Sequence, residues 1–223
     1  MGEPGTRTPR ERYRAQVQEE IKQHAWGQIA TAGASALSLN AIAKQMGMSG
    51  PALYRYFTNR DELITELVKD AYRSLADTFA ARTAAGTDLD GLAQALRRWA
   101  LDDPQRYFLV YGTPVPGYEA PDDTTRITTE ILGHLLEACA AAGPRGPVGW
   151  HGDGAGDGPA WHGDRAGEDP TRPPSPELRL ALAFWTRLHG VLSLELAGHF
   201  TGMAFDPAEL YADEVRSLTA AGH

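Results

Sequence analysis

The chain has 223 residues and a formal net charge of −8, but residues 1–60 hold eight Lys and Arg against four Asp and Glu. A basic N-terminal region on an otherwise acidic protein indicates contact with a polyanion. No apolar run approaches the roughly 18 residues of a membrane span, and the N-terminus lacks the apolar stretch of a signal peptide, so we expect no membrane partner and a cytoplasmic location. The single cysteine, Cys139, excludes an intramolecular disulfide and a cysteine-based metal cage.

The first elements are a flexible basic arm over residues 1–9 and a helix over 10–33. Apolar side chains recur in the helix at a spacing of about 3.6 residues, and Gly33 can cap its C-terminus. The recurring side chains are those of Tyr13, Val17, Ile21, Ala25 and Ile29.

Two short helices follow, over 39–46 and roughly 50–56. Ser38 can cap the first, and Gly47 ends it. Ser49 can cap the second, where Pro51 stands in the first turn and removes no helical hydrogen bond.

Thr58 or Asn59 caps a longer helix over 60–84. Further helices are predicted over 88–102, 104–111, 122–142, 176–197 and 206–219. Few stretches alternate in the manner of a strand, so the predicted fold class is all-α, with an N-terminal three-helix domain and a C-terminal helical bundle.

Residues 143–176 interrupt this pattern, because sixteen of the thirty-four positions are Gly or Pro. We expect a flexible loop over 143–175. Within it the sequence Trp150-His151-Gly152-Asp153 is repeated as Trp161-His162-Gly163-Asp164. The repeat is either a metal or ligand site built from His and Asp or a tandem duplication in a mobile linker, and the linker interpretation is favoured.

Two short helices joined by a glycine turn, with a third helix in front, are typical of a helix-turn-helix that inserts its second helix into the major groove of DNA. The leading residues of that second helix must be small: Ser49, Gly50, Pro51 and Ala52. Tyr54 and Tyr56 would direct hydroxyl groups at phosphates, or would serve as half-buried packing residues, while Leu53 and Phe57 point inward.

Four arginines are placed in an arm ahead of the first helix and would follow the DNA backbone, enter a minor groove, or form a disordered solubilising tail. They are Arg7, Arg10, Arg12 and Arg14.

The run "LSLNAIAKQMGMSGPALYRYFTNRDELI" resembles the DNA-binding domain of the TetR family of bacterial transcriptional regulators. The family shares I-A, then G-x-S, then L-Y-x-Y/H-F, then x-x-K/R-x-x-L. The matching residues are Ile42, Ala43, Gly47, Ser49, Leu53, Tyr54, Phe57 and Leu63. Tyr56 stands where His is frequent and Arg60 where Lys is usual, and both keep a polar group for phosphate. The resemblance covers about residues 10–70.

The resemblance implies a helix-turn-helix domain over 10–57 and a connecting helix over 58–74. It implies phosphate contacts from Ser38, Tyr54, Tyr56 and Arg60. It implies base contacts from Ser49, Gly50, Pro51, Ala52 and Arg55. Arg55 is the one side chain there that can pair bidentately with guanine, although a phosphate contact or plain solvation is an equal alternative.

Residues 75–223 would then form an effector-binding and dimerisation domain. Here Trp185, His189 and Gly190 resemble the W-x-x-x-H-G pattern of one C-terminal domain type of the family. Candidate effector-binding residues are Trp99, Tyr107, Phe108, Tyr111, His134, Phe184, Trp185 and His189, each of which could instead be core. Aromatic walls in an acidic domain would suit a lipophilic cation. An apolar stripe could form a dimer seam with the helix over 206–219. It consists of Leu178, Leu182, Trp185, Leu188 or His189, Leu192 and Leu196.

These observations predict a homodimeric, ligand-responsive regulator, a repressor released from double-stranded palindromic operator DNA by a small organic effector. A metal-responsive regulator using the loop repeat is the alternative. We expect no cofactor and no enzymatic activity, since the chain has no Gly-rich phosphate loop, no H-E-x-x-H and no G-x-S-x-G.

Overall fold

The computed structural model describes residues 8–112, 122–142 and 174–220. These residues contain helices and no strand, which confirms the all-α fold class. The helices are α1 (Pro9–Ala32), α2 (Leu39–Gln45), α3 (Gly50–Leu53), α4 (Arg60–Ala84), α5 (Leu89–Asp102), α6 (Pro104–Tyr111), α7 (Asp122–Ala141), α8 (Pro176–Leu196) and α9 (Pro207–Ala220). A 3-10 turn, Ala34–Ala36, lies between α1 and α2.

Helix α1 begins before most of the arginines that the sequence places ahead of it. The Glu11 amide donates to the Thr8 hydroxyl at 3.3 Å, and the Thr8 amide donates to the Glu11 carboxylate at 2.8 Å. This capping box fixes the first turn of the helix. The arginines that therefore lie on α1 are Arg10, Arg12 and Arg14. The fourth, Arg7, lies outside the described residues.

The cap and the glycine stop predicted for α2 are present. The Ser38 hydroxyl accepts a hydrogen bond from the Ala41 amide at 3.3 Å. Gly47 follows the helix with a φ of 66°, in the left-handed region that a side chain would disfavour. The chain therefore turns sharply between α2 and α3.

Helix α3 ends at Leu53, three residues before the predicted end. The residues after it form hydrogen-bonded turns instead: the Tyr56 amide donates to the Leu53 carbonyl at 2.8 Å. These bonds span three residues and tighten the last turn. Ser49 occupies the N-cap position as predicted, but its hydroxyl makes no capping hydrogen bond.

The N-terminal core gathers the inward faces of α1, α2 and the first half of α4 around α3. Leu53 and Phe57 are buried in this core, as predicted. The stripe on α1 is also buried from Val17 to Ile29. Tyr13 is an exception at 63% exposure, because the core that faces α1 starts one turn later, at Val17.

The C-terminal core is formed by the second half of α4 with α5 to α9, and it includes Cys139 as a buried thiol. Tyr72 on α4 and Val110 on α6 pack against both cores. The two cores are therefore in direct contact across α4 and α6.

The predicted dimer stripe on α8 is wrong at its centre. Leu188 and Leu192 are fully buried within the single chain. They turn into the C-terminal core together with Phe184 and Val191. They are therefore not available to a second copy of the protein.

Asn59 is the residue that caps α4. Its side-chain oxygen accepts a hydrogen bond from the Glu62 amide at 2.8 Å. Replacing Asn59 with Ala removes the acceptor, so we expect the free energy of unfolding to fall by about 1 kcal/mol. Asn59→Asp keeps an acceptor and should unfold near the wild-type urea midpoint. Equal midpoints for Asn59→Ala and the wild type would contradict the capping role.

Candidate DNA interface and ligand cavity

The surface of α3 and the turn after it carries the residues predicted to contact DNA. Ser49, Pro51, Tyr54 and Arg55 are exposed, while Gly50, Ala52 and Tyr56 are half-buried. Tyr54 is 44% exposed, so its hydroxyl can reach a partner outside the chain. The structure thus brings the predicted base-contacting residues together on one short exposed segment.

Helix α1 holds the end of this segment through Arg14. The Arg14 guanidinium donates to the Arg55 carbonyl oxygen at 3.0 Å and lies 5.5 Å from the centre of the Tyr56 ring. The Tyr56 ring also packs against the N-terminal core. Arg14 therefore positions the backbone from which Arg55 projects, a contact across 41 residues that no local sequence pattern indicates.

Helix α1 also holds the start of α2, through Gln28. The Ser38 amide donates to Oε1 of Gln28 at 2.9 Å, and Nε2 of Gln28 approaches the Ser38 carbonyl oxygen at 3.5 Å. The Ser38 hydroxyl accepts the α2 capping bond, so its own proton remains to donate to a phosphate.

Arg60 makes a contact inside the domain. Its guanidinium donates to the Ala34 carbonyl oxygen at 2.8 Å, and it lies 3.7 Å from the Asp61 carboxylate. This bond joins the start of α4 to the 3-10 turn. A guanidinium has five N–H donors, so a phosphate contact remains possible beside this bond.

Several cations in the N-terminal part of the described chain are free of carboxylate partners. Within residues 8–112, no ion pair involves Arg10, Arg12, Lys44 or Arg55, and all four side chains are exposed. Unpaired surface cations attract phosphates and release their counterions on binding. These cations of the basic N-terminal region are therefore exposed to solvent.

A cavity of about 250 Å³ lies in the C-terminal domain between α4, α6, α7 and α8. Its walls combine three aromatic rings, two of which carry a hydroxyl, with aliphatic side chains and one threonine. The lining residues are Tyr72, Tyr111, Thr128, Ile131, Leu132, Ala181, Leu182 and Trp185. An apolar enclosure among bundle helices is a typical place for a small ligand.

A larger open groove of about 790 Å³ runs along α1 and the start of α2. Its walls include Gln28, Ser38 and Gln45 together with small residues. It therefore adjoins the proposed DNA surface, and no Tyr or Trp lines it, in contrast to the C-terminal cavity.

An aromatic cluster stands behind one wall of the C-terminal cavity. The Tyr111 ring centre lies 4.3 Å from that of His189, and the Trp185 and His189 ring centres are 4.4 Å apart. The Tyr107 hydroxyl lies 3.0 Å from Nδ1 and 3.3 Å from the carbonyl oxygen of His189. Trp99 packs against Tyr107 and Tyr111. These contacts hold the His189 ring in a fixed orientation.

Burial determines the protonation of the cluster. It lowers the pKa of His189 to about 4 and raises the pKa of Tyr107 to about 12. It also holds the pKa of Tyr111 well above its usual value. All three side chains are therefore neutral near pH 7.

Two polar atoms in the cluster are enclosed without partners among the described residues: the Tyr111 hydroxyl and Nε2 of His189. Each buried polar atom without a partner costs roughly 1–3 kcal/mol of stability. Of the two residues, Tyr111 also lines the cavity, so its hydroxyl can bond to a partner outside the chain.

The predicted effector residues divide into three groups around this cavity. Tyr111 and Trp185 line it. Trp99, Tyr107 and His189 stand behind its wall. The remaining three do not line it. Of these, Phe108 packs on Tyr107, Phe184 is buried in the core, and His134 lies 3.7 Å from the Glu137 carboxylate.

Sequence reasoning missed most of the other lining residues, above all Tyr72. Its position on α4, one turn after the buried Val68, suggests only another core residue. No signal in the chain marks Thr128, Leu132 or Ala181 either, because they meet the cavity through the packing of α7 and α8.

The His/Asp repeat at residues 150–164 lies outside the described residues. Within the part that the structure describes, no group of three or more His, Cys, Asp or Glu could hold a metal ion. Among the same residues, no helix combines the length and apolar content that crossing a bilayer requires.

Helices α1 to α3, with their exposed and basic reading segment, define a helix-turn-helix DNA-binding protein. The protein-family model described as "Bacterial regulatory proteins, tetR family" matches residues 22–67. The model described as "Tetracyclin repressor-like, C-terminal domain" matches residues 89–218. The chain belongs to the TetR family and is a DNA-binding transcriptional regulator.

The sequences of several relatives align with nearly the whole chain. The HTH-type transcriptional regulators of Mycobacterium tuberculosis strain H37Rv and of Mycobacterium bovis are 36% identical over 217 residues, which cover 93% of this chain and 92% of theirs. The crystal structure of the regulatory protein SCO4313 has 60% identity and a TM-score of 0.80, with 95% and 98% coverage.

A more distant structure shares the fold alone. NalD, the secondary repressor of the MexAB-OprM multidrug efflux pump in Pseudomonas aeruginosa, superimposes with a TM-score of 0.56 at 13% identity. The alignment covers 94% of this chain and 97% of NalD.

The low pKa of His189 makes stability depend on pH. The folded state keeps His189 neutral down to a pKa of about 4, whereas the ordinary pKa is 6.5, so the unfolded state takes up a proton first as the pH falls. The free energy of unfolding should therefore decrease by up to about 3 kcal/mol as the pH falls from the ordinary pKa to that of the folded state.

Urea unfolding across this pH range, compared with His189→Phe, measures the effect. The variant should lose this part of the pH dependence. His199→Gln, at an exposed position outside the cluster, is the matched control and should keep the wild-type profile. Parallel profiles for the wild type and His189→Phe would contradict the assignment.

Proposed function

We propose that the chain is a cytoplasmic, homodimeric transcriptional repressor that binds a palindromic operator in double-stranded DNA and is released by a small organic effector. The observation that carries the proposal is the exposed segment from Ser49 to Tyr56, with small residues at its start and unpaired Arg55 within it. This is the form of a helix that enters a major groove by its N-terminus.

In this proposal Ser38, Tyr54, Tyr56 and Arg60 contact phosphates. Base edges face the residues Ser49, Gly50, Pro51, Ala52 and Arg55. Phosphate contacts fix the position of the protein on the duplex, and base contacts determine the sequence that is selected.

A helix-turn-helix that reads a palindrome needs two copies about 34 Å apart, which supports a homodimer. The end of α8 and the turn before α9 expose large apolar side chains, namely Leu194, Met203 and Phe205. We place the dimer contact on this outer surface of α8 and α9, since the buried face of α8 is already occupied.

The effector site we propose is the cavity lined by Tyr72, Tyr111 and Trp185. Tyr72 lies on α4, about 18 Å along the helix from Arg60 at a rise of about 1.5 Å per residue. Arg60 is bonded to the turn that precedes α2. A ligand that shifts Tyr72 therefore acts on the helix that supports the DNA-reading domain. It favours a spacing of the two α3 helices of the dimer that no longer matches successive major grooves of the operator.

Selection from a library of random duplexes tests the DNA-binding part of this proposal. Purified protein should enrich an inverted repeat, and the affinity for it should fall steeply as salt rises, because phosphate contacts release counterions. A chelator should leave operator binding unchanged. Enrichment of no sequence, with only weak salt-sensitive binding, would contradict the proposed function.

Removing the hydroxyl of Tyr54 or Tyr56 tests the division between phosphate and base contacts. Tyr54→Phe and Tyr56→Phe should weaken binding to the operator and to unrelated DNA by similar factors, each about tenfold, because phosphates carry no sequence information. Fluorescence anisotropy on both duplexes measures the two affinities.

Arg55→Ala provides the contrast in the same assay. The substitution should weaken binding to the operator more than binding to unrelated DNA, since a bidentate guanine contact is specific for one base pair. A selective loss at one base pair in Tyr54→Phe or Tyr56→Phe would show that the tyrosine reads a base and not a phosphate.

A further inference from the structure

The lining of the C-terminal cavity restricts the chemistry of its ligand, which deepens the proposed function and rests on it. We propose that the effector is an uncharged, flat, mostly apolar molecule with one hydrogen-bond acceptor, and that this acceptor receives the Tyr111 hydroxyl. The inference depends on three features of the wall: its rings, its lack of charge and, among the described residues, its one buried hydroxyl without a partner.

The rings form one side of the cavity at steep mutual angles. Tyr72 and Tyr111 meet edge to face with centres 5.9 Å apart, and Tyr111 and Trp185 do so at 5.8 Å. Ile131 and Leu182 belong to the aliphatic part of the wall. A flat unsaturated molecule offers both a face and an edge to such rings.

No lining residue is charged. Four charged side chains on α4 and α7 are already paired: Arg73 holds Glu130 through two nitrogens, one at 3.2 Å, and Lys69 lies 3.1 Å from Asp123. A charged ligand would lose its hydration without gaining a counter-charge, which is unfavourable. A lipophilic cation, which the acidic composition suggested, therefore has no carboxylate to meet on this wall.

The polar groups of the wall indicate whether the ligand should carry a hydrogen-bond donor or an acceptor. The Thr128 hydroxyl already donates to the Thr125 carbonyl oxygen at 2.9 Å. The Tyr111 hydroxyl has no partner among the described residues, and burial raises its pKa, so it keeps its proton. A carbonyl or ether oxygen on the ligand would accept that proton.

The cavity is also small. At about 250 Å³ it lies below the roughly 300–1,000 Å³ of pockets for drug-sized ligands. A ligand of two fused rings with one short substituent is the largest class that we expect it to admit without rearrangement.

Four probes on one ring system test these features by isothermal titration of the full chain. They are methylnaphthalene, the ketone acetonaphthone, naphthoate and naphthylmethylammonium. Acetonaphthone should bind most tightly, about threefold to tenfold above methylnaphthalene, since one hydrogen bond is worth about that factor. The two ions should bind more weakly than either. Tighter binding of an ion, or binding of none of the four, would overturn the proposal.

Tyr111→Phe tests the hydrogen bond with little change of shape. The advantage of acetonaphthone over methylnaphthalene should vanish, while methylnaphthalene keeps its affinity. Tyr107→Phe is the matched control, because that hydroxyl is bonded to His189 and Tyr107 does not line the cavity. It should retain the advantage. An advantage that survives in Tyr111→Phe would overturn the role of this hydroxyl.

Leu182→Trp tests the location, since it fills the cavity from α8. It should abolish binding of the neutral probes, whereas Leu178→Trp, one turn earlier and outside the lining, should not. Unchanged binding in Leu182→Trp would place the probes elsewhere and overturn the proposal.

Operator affinity measured with saturating acetonaphthone separates this inference from the proposed function. If the probe binds as expected and operator affinity is unchanged, the cavity chemistry stands and release by a ligand in this cavity fails. If a charged compound releases the operator through this cavity, the repressor proposal stands and the inference about ligand chemistry is wrong.

Discussion

A single unbroken helix, α4, is buried in two hydrophobic cores in succession. Its first half contributes Leu63 and Leu67 to the N-terminal core, and its second half contributes Leu75 and Phe79 to the C-terminal one. It contains neither Pro nor Gly, the usual causes of a kink. The helix therefore behaves as a stiff connection, and the position of the DNA-reading segment depends on how α4 is held at each end.

The fold was predictable where the controlling signals are local. Ser38, Gly47 and Asn59 act within one helical turn, so they mark element ends in the sequence itself. The long-range contacts of Gln28 and Arg14 depend on tertiary packing, and no pattern in the chain marks them.

The lining of the candidate cavity was predictable only where residue type alone draws attention to a position. Tyr111 and Trp185 stand out as aromatic residues, and both line the cavity. Tyr72 appears in the sequence as one more apolar position of a long helix. Leu188 and Leu192 were wrongly assigned to a dimer seam because periodicity shows which face of a helix is apolar, but not whether that face meets its own chain or another copy.

The reading segment separates the residues that hold it from the residues that face solvent. Leu53 and Phe57 secure it to the core, and Arg14 secures it through the Arg55 backbone instead of a side chain. Side chains at Ser49, Pro51, Tyr54 and Arg55 carry none of that packing. Exposed positions of this kind tolerate substitution at little cost in stability. Over evolution, such a scaffold can acquire a new DNA target by a few surface changes while the rest of the molecule remains intact.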